Sequence, residues 1–265
     1  MKIALTIAGS DSGGGAGIQA DLKTFQQFGI FGTSVIVALT AQNTLGVRAV
    51  ETVSDGMIAA QLTVLAEDLP PAALKTGMLA EAGVVRQVAR AIRENGWAPL
   101  VVDPVMVSTS GARLLTTEAE DVIRDDLLPL AALVTPNVDE AAILTGRVVH
   151  DLATMERAAA TLLRFGAGAA LVKGGHLSGG EVTDVLVTPS GIRHFTHSRL
   201  ETTSTHGTGC TLSAAITAGL ALERPLEDAV QTALDFVHRA IASAPGLGGG
   251  HGPLNHTVPA TTAVR

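Results

Sequence analysis

Short apolar runs alternate along the chain with segments in which apolar residues recur every three or four positions. The short runs are typical of buried strands, and the wider spacing is typical of amphipathic helices. The pattern predicts strands at residues 3–8, 33–40, 47–53, 73–78, 99–102, 131–134, 169–172, 182–187 and 192–195. It predicts helices at residues 18–28, 55–69, 82–94, 117–128, 138–144, 152–165, 211–220 and 226–244.

This alternation favours an α/β protein in which a mostly parallel central sheet carries helices on both faces. Two predicted strands, at 182–187 and 192–195, flank a Pro-Ser-Gly turn and indicate a hairpin. No linker-like or low-complexity segment interrupts the pattern, so we predict that residues 1–265 form a single domain.

Composition narrows the functional classes. The chain of 265 residues is 46% hydrophobic but only 3% aromatic, so Ala, Val and Leu must fill its core. A net charge of −7 without a basic cluster argues against a nucleic-acid partner. The apolar run at the N-terminus is too short to span a membrane. A single cysteine excludes an intramolecular disulfide and favours a cytoplasmic protein.

Two polar segments interrupt this pattern, each just before a predicted helix. Residues 9–17, the glycine-rich loop, join the first strand to the first helix. Residues 205–210, Thr-His-Gly-Thr-Gly-Cys, precede an Ala/Leu-rich helix, and we call them the anion turn. Unpaired N–H groups and the positive end of the helix dipole suit such a turn to a phosphate. The alternative is an ordinary glycine turn with a small buried cysteine.

Chemically active side chains recur just after the predicted strands, whose carboxyl ends meet at one edge of a parallel sheet. They are Ser10, Asp11, Gln42, Asn43, Lys75, Asp103, Thr135, Asn137, Glu140, Lys173, His176 and residues 205–210. This set favours phosphoryl transfer, which depends on positioning and charge neutralisation. The chain has neither a Walker motif nor a protein-kinase catalytic loop, and its glycine spacing argues against a dinucleotide-binding dehydrogenase.

Residues 8–25, AGSDSGGGAGIQADLKTF, and residues 205–213, THGTGCTLS, resemble the signature blocks of the hydroxymethylpyrimidine/phosphomethylpyrimidine kinases. Shorter blocks between them also resemble that family, in the family's order: TAQNT at 40–44, KTGML at 75–79, VDPVM at 102–106, TPN at 135–137 with EA at 140–141, and KGGHL at 173–177. The resemblance covers most of the chain. It implies a ribokinase-like three-layer α/β/α fold and a homodimer.

The resemblance also implies two successive transfers from ATP, with Mg²⁺, in thiamine biosynthesis. The first phosphorylates the hydroxymethyl oxygen of 4-amino-5-hydroxymethyl-2-methylpyrimidine, and the second phosphorylates the resulting monophosphate. Gln42 matches the residue that reads the pyrimidine, and its amide offers both a donor and an acceptor. Three further positions match the substrate pocket: Ala16, Asp21 and Met78. The alternatives are a turn-capping amide at Gln42, a solvated helix acid at Asp21 and core packing at Met78.

Cys210 matches the family's candidate general base. A helix N-terminus lowers the pKa of a thiol, so we expect some thiolate near neutral pH and a large loss of turnover in Cys210→Ala. The backbone N–H groups of Gly207, Thr208 and Gly209 are expected to hold charge on the γ-phosphate, and Lys173 to neutralise phosphate. Thr205 is assigned to the nucleotide side.

Three acidic or amide residues are assigned to Mg²⁺ and phosphate. Asp103 and Glu140 are expected to act on Mg²⁺ through its waters, with Asn137 and Glu140 on the nucleotide. The alternatives are helix capping for Glu140, a turn acid at Asp103 and a structural salt bridge for Lys173. No catalytic role is assigned to His176 or His206.

Two competing functions remain open from the sequence. A pyridoxal or pyridoxine kinase would use the same fold and a similar alcohol, and a silent ligand-binding protein could share the scaffold. Residues 108–111 could act as a flap. The tail at 246–252 could close over the adenine or cap the fold.

Overall fold

The computed structural model describes residues 1–106, 115–175, 177 and 179–261. The proposed flap at 108–111 and His176 therefore lie outside the described residues. The strands are β1 Ile3–Asp11, β2 Phe31–Asn43, β3 Gly46–Thr52, β4 Ala73–Thr76, β5 Leu100–Val102, β6 Ala131–Val134, β7 Ala170–Val172, β8 Glu181–Thr188 and β9 Gly191–Ser198. The helices are α1 Gly17–Gln27, α2 Asp55–Asp68, α3 Ala82–Asn95, α4 Thr117–Val122, α5 Val138–Thr145, α6 Leu152–Arg164, α7 Thr208–Ala221 and α8 Leu226–Ala242.

These strands form one nine-stranded sheet in the order β3-β2-β1-β4-β5-β6-β7-β8-β9. Six neighbouring strands, β2, β1, β4, β5, β6 and β7, are parallel. At one edge β3 pairs antiparallel with β2; at the other, β8 pairs antiparallel with β7 and β9 pairs antiparallel with β8. The predicted mostly parallel sheet and the predicted β8–β9 hairpin are therefore confirmed. Strands as short as β5 and β7 are fully buried, which explains their continuous apolar sequences.

Helices cover both faces of the sheet and bury two separate apolar clusters. One cluster packs α3 and α6 against the sheet through residues such as Val88, Ile92 and Leu162. The other packs α7 and α8 on the opposite face, and includes Ile216 and Phe236. The predicted three-layer α/β/α architecture is thus confirmed. Among the described residues no helix combines the length and apolar character that a membrane crossing requires.

Two predicted boundaries differ from the structure. β1 continues to Asp11, because residues 9–11 of the glycine-rich loop pair with β2 after a bulge at Ala8. The predicted helix at 117–128 is α-helical only to Val122, and then continues as a π-helical turn, Ile123–Leu127, and a 3₁₀ turn, Leu128–Leu130. The π turn is closed by the Leu128 N–H, which donates to the Ile123 carbonyl oxygen. Pro129 cannot donate to an α-helical hydrogen bond, so the α-helix does not resume after this turn.

Candidate active site

A pocket of about 640 Å³ opens at the carboxyl ends of the parallel strands, within the usual size range of small-molecule sites. Nearly all of the predicted site residues line it. They are Ala16, Gln42, Met78, Asp103, Asn137, Glu140, Lys173, Thr205, Gly207, Thr208, Gly209 and Cys210. The parallel sheet brings these side chains together from loops that are far apart in sequence, because ligands of α/β proteins bind at the carboxyl ends of the strands.

The anion turn and the glycine-rich loop meet backbone to backbone. Gly207 has a φ of 84°, and a Cβ at this position would lie 1.9 Å from the carbonyl oxygen of Gly15. A Cβ on Gly15 would in turn lie 2.6 Å from His206 Cδ2. Only glycine fits at these positions, since no side chain can be accommodated between the two segments. The contact sets the position at which α7 begins.

No side chain caps the first turn of α7. Its N–H groups at Gly209 and Cys210 therefore belong to the pocket wall, at the positive end of the helix dipole. The Thr208 N–H was also expected to hold phosphate charge, but it already donates to the carbonyl oxygen of Thr205 at 3.3 Å. The turn retains the features of an anion site, with Gly209 as its central donor.

Cys210 lies in the third position of α7 and lines the pocket. Burial raises the pKa of its thiol to about 12, although the Lys75 ammonium and a hydrogen bond with the Gly17 backbone act in the opposite direction. The expectation of a lowered thiol pKa is therefore wrong. Desolvation outweighs the helix terminus here, and the nearby carboxylates of Asp21 and Asp103 raise the pKa further.

Lys173 places a positive charge between two carboxylates in the pocket. Its Nζ atom lies 3.3 Å from Asp103 Oδ1 and 3.9 Å from Glu140 Oε2. A Cβ on Gly209 would lie 3.3 Å from that same Nζ atom, so the ammonium also adjoins the anion turn. Lys173 thus forms a salt bridge and at the same time offers a cation to any phosphate held by the turn.

Asn137 and Glu140 form a capping box at the start of α5. The Glu140 backbone N–H donates to Asn137 Oδ1 at 2.9 Å, and the Asn137 N–H donates to Glu140 Oε2 at 2.8 Å. The capping alternative is therefore real, but both residues also line the pocket. Burial raises the pKa of Glu140 to about 7. The Lys173 ammonium acts to lower this pKa, and the neighbouring Asp103 carboxylate acts to raise it.

The donors around Lys173 suit a hydrated magnesium ion better than a fully dehydrated one. Within the described part of the chain, His, Cys, Asp and Glu side chains form no group of three with metal-binding geometry. Asp103 and Glu140 nevertheless present two carboxylates to one region beside the anion turn. Mg²⁺ keeps several waters and commonly meets one or two carboxylates together with phosphate oxygens, and this set fits that mode.

A second part of the pocket wall, next to the anion turn, is built around Gln42, Ala16 and Met78. Gln42 Oε1 lies 3.1 Å from Thr40 Oγ1, and Gln42 Nε2 lies 3.3 Å from His206 Nε2. Met78 is nearly buried and packs where a Cβ on Gly9 would meet its methyl group at 2.5 Å. The apolar side chains of Met78 and Ala16 therefore share the pocket with the Gln42 amide, a combination that suits a heteroaromatic ring.

Asp21 is the exception among the predicted substrate residues, because it does not line the pocket. Its side chain is fully buried, where it pairs with Lys75 and accepts a hydrogen bond from Thr6 Oγ1 at 2.6 Å. The sequence pattern could not exclude contact with substrate, because helix periodicity does not show which buried face adjoins a cavity. The structure corrects this expectation and makes Asp21 a support beneath the site.

Several pocket residues were missed by the sequence reasoning. One group is apolar and comes from α8 and its surroundings: Leu200, Leu234, Val237 and Ile241. His197 and His238 lie beside it with ring centroids 6.0 Å apart. The helical spacing of Leu234, Val237 and Ile241 indicates only a buried face, so it did not predict that they line a pocket. They form a wall suited to a flat base.

The glycine-rich tail, residues 246–252, does not belong to the pocket lining, and it hydrogen-bonds to the anion turn. The His251 N–H donates to the Thr44 carbonyl oxygen at 2.8 Å, and the His206 N–H donates to that of Gly252 at 3.1 Å. A Cβ on Gly250 would lie 2.2 Å from the same Thr44 oxygen. Of the two expectations for the tail, the structure favours the one in which it caps the fold.

An α/β/α sandwich with an anion turn, a lysine and paired carboxylates at its strand ends defines a small-molecule kinase of the ribokinase-like class. Comparison with known proteins agrees. The family model described as phosphomethylpyrimidine kinase matches residues 11–255. A hydroxymethylpyrimidine/phosphomethylpyrimidine kinase of Rhizobium meliloti (strain 1021) is 51% identical, with 96% of each chain covered.

Solved structures show the same kinship. A pyridoxal kinase of Bacillus subtilis, solved as an ADP complex, has a TM-score of 0.90 and 36% identity over 97% of each chain. A phosphomethylpyrimidine kinase of Clostridium difficile 630 has a TM-score of 0.82 and 42% identity, and covers 91% of this chain and 100% of its own. The chain belongs to the phosphomethylpyrimidine kinase family.

Proposed function

We propose that this kinase transfers the γ-phosphoryl group of ATP to the hydroxymethyl oxygen of 4-amino-5-hydroxymethyl-2-methylpyrimidine. It then phosphorylates the resulting monophosphate to the diphosphate, as a step of thiamine biosynthesis. One arrangement carries the proposal: Gln42, Met78 and Cys210 line one pocket together with the anion turn, and Gln42 Nε2 lies 3.3 Å from His206 of that turn. The family membership and the names of the relatives support the same reaction.

The nucleotide would enter from the side of α8. The apolar wall of Val237 and Ile241 suits an adenine ring, and Thr205 and Asn137 line the same pocket. Lys173 and the N–H of Gly209 would then meet the γ-phosphate and stabilise the charge that develops on it. Asp103 and Glu140 would hold Mg²⁺ through its waters, and the ion would neutralise charge on the phosphates.

In the transfer, the hydroxymethyl oxygen forms a bond to the γ-phosphorus while the bond from that phosphorus to the β,γ-bridging oxygen breaks. We infer that Cys210 acts as a neutral thiol, because its raised pKa leaves almost no thiolate at neutral pH. It would position the hydroxymethyl group and receive no proton early in the reaction. A loose transition state demands little base catalysis, and the proton can pass late to a phosphate oxygen.

Pyridoxal phosphorylation is the second candidate activity. The observation that favours it is the pyridoxal kinase neighbour, whose fold superposes over nearly the whole chain. A pyridine alcohol also combines a flat ring with a hydroxymethyl group. A pocket of about 640 Å³ has room for either ring, so the two activities must be separated by measurement.

An ADP-release assay with Mg-ATP and three substrates tests the proposal: the pyrimidine alcohol, its monophosphate and pyridoxine. We expect turnover of the alcohol and of the monophosphate. Activity on pyridoxine alone would overturn the proposal in favour of a pyridoxal kinase. Tight binding of the pyrimidine without ADP formation would instead identify a ligand-binding protein.

We further propose that residues 1–265 work as one kinase domain, in the cytoplasm, and as a homodimer. The family resemblance supports the dimer, and the single cysteine supports a reducing compartment. Light scattering coupled to gel filtration tests the dimer directly. A mass near 27.0 kDa, that of one chain, at assay concentration would contradict it.

A further inference from the structure

A chain of hydrogen bonds joins the Gln42 amide to the glycine-rich loop through His206. The His206 Nε2 atom lies 2.9 Å from Asp11 Oδ2 and 3.3 Å from Gln42 Nε2. Asp11 is 3% exposed and His206 is 7% exposed, so neither exchanges its partners freely with water. The order of donors and acceptors along this chain has consequences for the pocket.

Asp11 is held as a carboxylate by the loop that follows it. Its Oδ1 atom accepts from the Gly13 N–H at 2.8 Å, and its Oδ2 atom accepts from the N–H groups of Gly15 and Ala16 at 3.0 and 2.9 Å. Burial by itself would raise the pKa of Asp11, but the hydrogen bonds from His206, Ala16 and Gly13 outweigh it and lower that pKa. An ionised carboxylate can only accept.

The proton of the His206 ring must therefore lie on Nε2, where it donates to Asp11. A ring nitrogen that donates cannot also accept from the Gln42 amide. The charge-assisted bond to Asp11 is the shorter and stronger of the two contacts, so it decides the tautomer. Because the two ends of a carboxamide are distinguished only by their partners, Gln42 must turn its Oε1 atom toward His206.

The other end of the amide agrees with this orientation. The Thr40 hydroxyl can donate to the Ser10 carbonyl oxygen at 3.0 Å, which leaves its lone pairs free. It then accepts from the Nε2 group of Gln42, which stands next to Thr40 once the amide is turned. Every member of the chain from Asp11 to Ser10 is satisfied in this one arrangement. The opposite arrangement places two acceptors, Asp11 Oδ2 and an unprotonated His206 Nε2, against each other.

We propose that His206, held by Asp11, is a positioning residue that fixes the donor–acceptor order of the Gln42 amide. The pocket then selects an alcohol whose heteroaromatic edge carries an exocyclic amino donor beside a ring-nitrogen acceptor. The amino group donates to the remaining lone pair of Oε1, and the ring nitrogen accepts the remaining hydrogen of Nε2. A 4-oxo analogue presents the reverse order and would require the amide to flip against His206. This inference rests on the proposed pyrimidine kinase activity.

The kinetic test compares the 4-amino alcohol with its 4-oxo analogue in the wild-type enzyme and in His206→Phe. We expect the wild type to prefer the amino compound by at least about 100-fold in kcat/KM. His206→Phe should narrow that preference by roughly 10-fold or more, mainly through a higher KM for the amino compound. A variant that keeps the wild-type preference would overturn the proposal.

His256→Phe is the matched control. His256 is also buried, and its Nε2 atom lies 2.9 Å from Thr211 Oγ1, but it does not belong to the pocket lining. The His256→Phe substitution removes a buried imidazole from the same part of the fold. It therefore reproduces any loss of stability that comes only from replacing a buried histidine. We expect its preference between the two alcohols to equal that of the wild type. A narrowed preference in this control as well would assign the effect to stability and overturn the proposal.

A spectroscopic test uses only the wild-type enzyme, so it does not depend on whether a variant folds. Long-range ¹H–¹⁵N correlations on uniformly labelled wild-type enzyme report which ring nitrogen of His206 carries the proton. We expect the Nε2–H form in the free enzyme at neutral pH. An Nδ1–H form would overturn the proposal even if the amino preference were observed. If instead the enzyme released no ADP with the amino alcohol, the proposed function would fail, while this spectrum would still decide the state of His206.

Discussion

Lys75 Nζ lies 2.8 Å from Asp21 Oδ1, and both side chains are completely buried beneath the substrate pocket. The pair links β4 to α1, and Thr6 on β1 adds a third contact to the carboxylate. The positive charge of Lys75 is also the strongest influence that lowers the pKa of the Cys210 thiol, against the larger effect of burial. The pair therefore supports the pocket floor and takes no part in the wall that a substrate would touch.

We expect Asp21→Asn to destabilise the fold by about 3–5 kcal/mol, because it leaves the Lys75 ammonium buried without its counter-charge. Urea denaturation measures the loss. A double variant with Lys75→Met should recover much of it, since the uncompensated charge is then removed. The KM of the folded fraction for the pyrimidine alcohol should stay within about twofold of wild type. A large rise in KM without loss of stability would instead indicate direct contact between Asp21 and substrate.

Gly207→Ala should abolish most of the activity. The added methyl group would lie 1.9 Å from the Gly15 oxygen, and the φ of 84° is one that alanine adopts only with strain. We expect kcat/KM to fall by at least roughly 10-fold as the anion turn shifts. Gly83→Ala is the control, because a Cβ there meets no atom within 4 Å and Gly83 lies inside α3. That substitution should raise stability by roughly 0.5–1 kcal/mol and leave turnover unchanged.

Cys210 should resist alkylation at neutral pH. With its pKa raised to about 12, the thiol is almost entirely protonated at pH 8. We expect iodoacetamide to modify it at least roughly 100-fold more slowly than a free cysteine, with a rate that still rises at pH 10. The chain has one cysteine, so mass spectrometry of the intact protein gives an unambiguous count. Rapid modification at pH 7 would restore the general-base role expected from the sequence.

Glu140→Gln tests whether Glu140 acts in phosphoryl transfer in addition to capping α5. Gln preserves the capping box with Asn137, so the helix start should remain intact. Loss of the carboxylate beside Lys173 should lower kcat by at least roughly 10-fold, measured at saturating Mg-ATP. A kcat close to wild type would remove Glu140 from the phosphate machinery and leave it the capping role alone.

The same substitution should change how stability depends on pH. The folded-state pKa of Glu140 is about 7 and its ordinary value is 4.5, so the folded protein holds a proton that the unfolded chain releases between these values. The stability that protonated Glu140 gives the folded protein is fully present below pH 4.5. It is lost as the pH rises through 7, and the loss in the free energy of unfolding is up to about 3 kcal/mol. Unfolding in EDTA should therefore show that Glu140→Gln gains stability relative to wild type between pH 5 and pH 8. An unchanged difference would contradict the raised pKa.

Much of the fold could be predicted from residue patterns, for a physical reason. Buried parallel strands such as Leu100–Val102 read as unbroken apolar runs, and helices such as Leu226–Ala242 show a regular apolar stripe. Boundaries failed where tertiary pairing extends an element, as at Asp11, or where a proline changes the helix type, as at Pro129. Neither effect is encoded in the hydrophobic period.

The sequence predicted most positions of the candidate site, but the structure corrected the expected electrostatic environment of Cys210. The sequence placed Cys210 at a helix start, where the local rule lowers a thiol pKa. Only the folded chain shows that burial, with Asp21 and Asp103 nearby, raises it instead. His206 was left without a role, because its partners Asp11 and Gln42 are 195 and 164 residues away in sequence.

The sequence by itself determined the order of the elements, the strand ends at which polar residues gather and the glycines of the anion turn. These follow from local periodicity and from the backbone freedom that glycine alone provides. Tertiary structure decided which buried groups reach the pocket, which remain beneath it, and which carry a proton. Those properties depend on desolvation and on partners brought together by the sheet, and no local pattern in the chain records them.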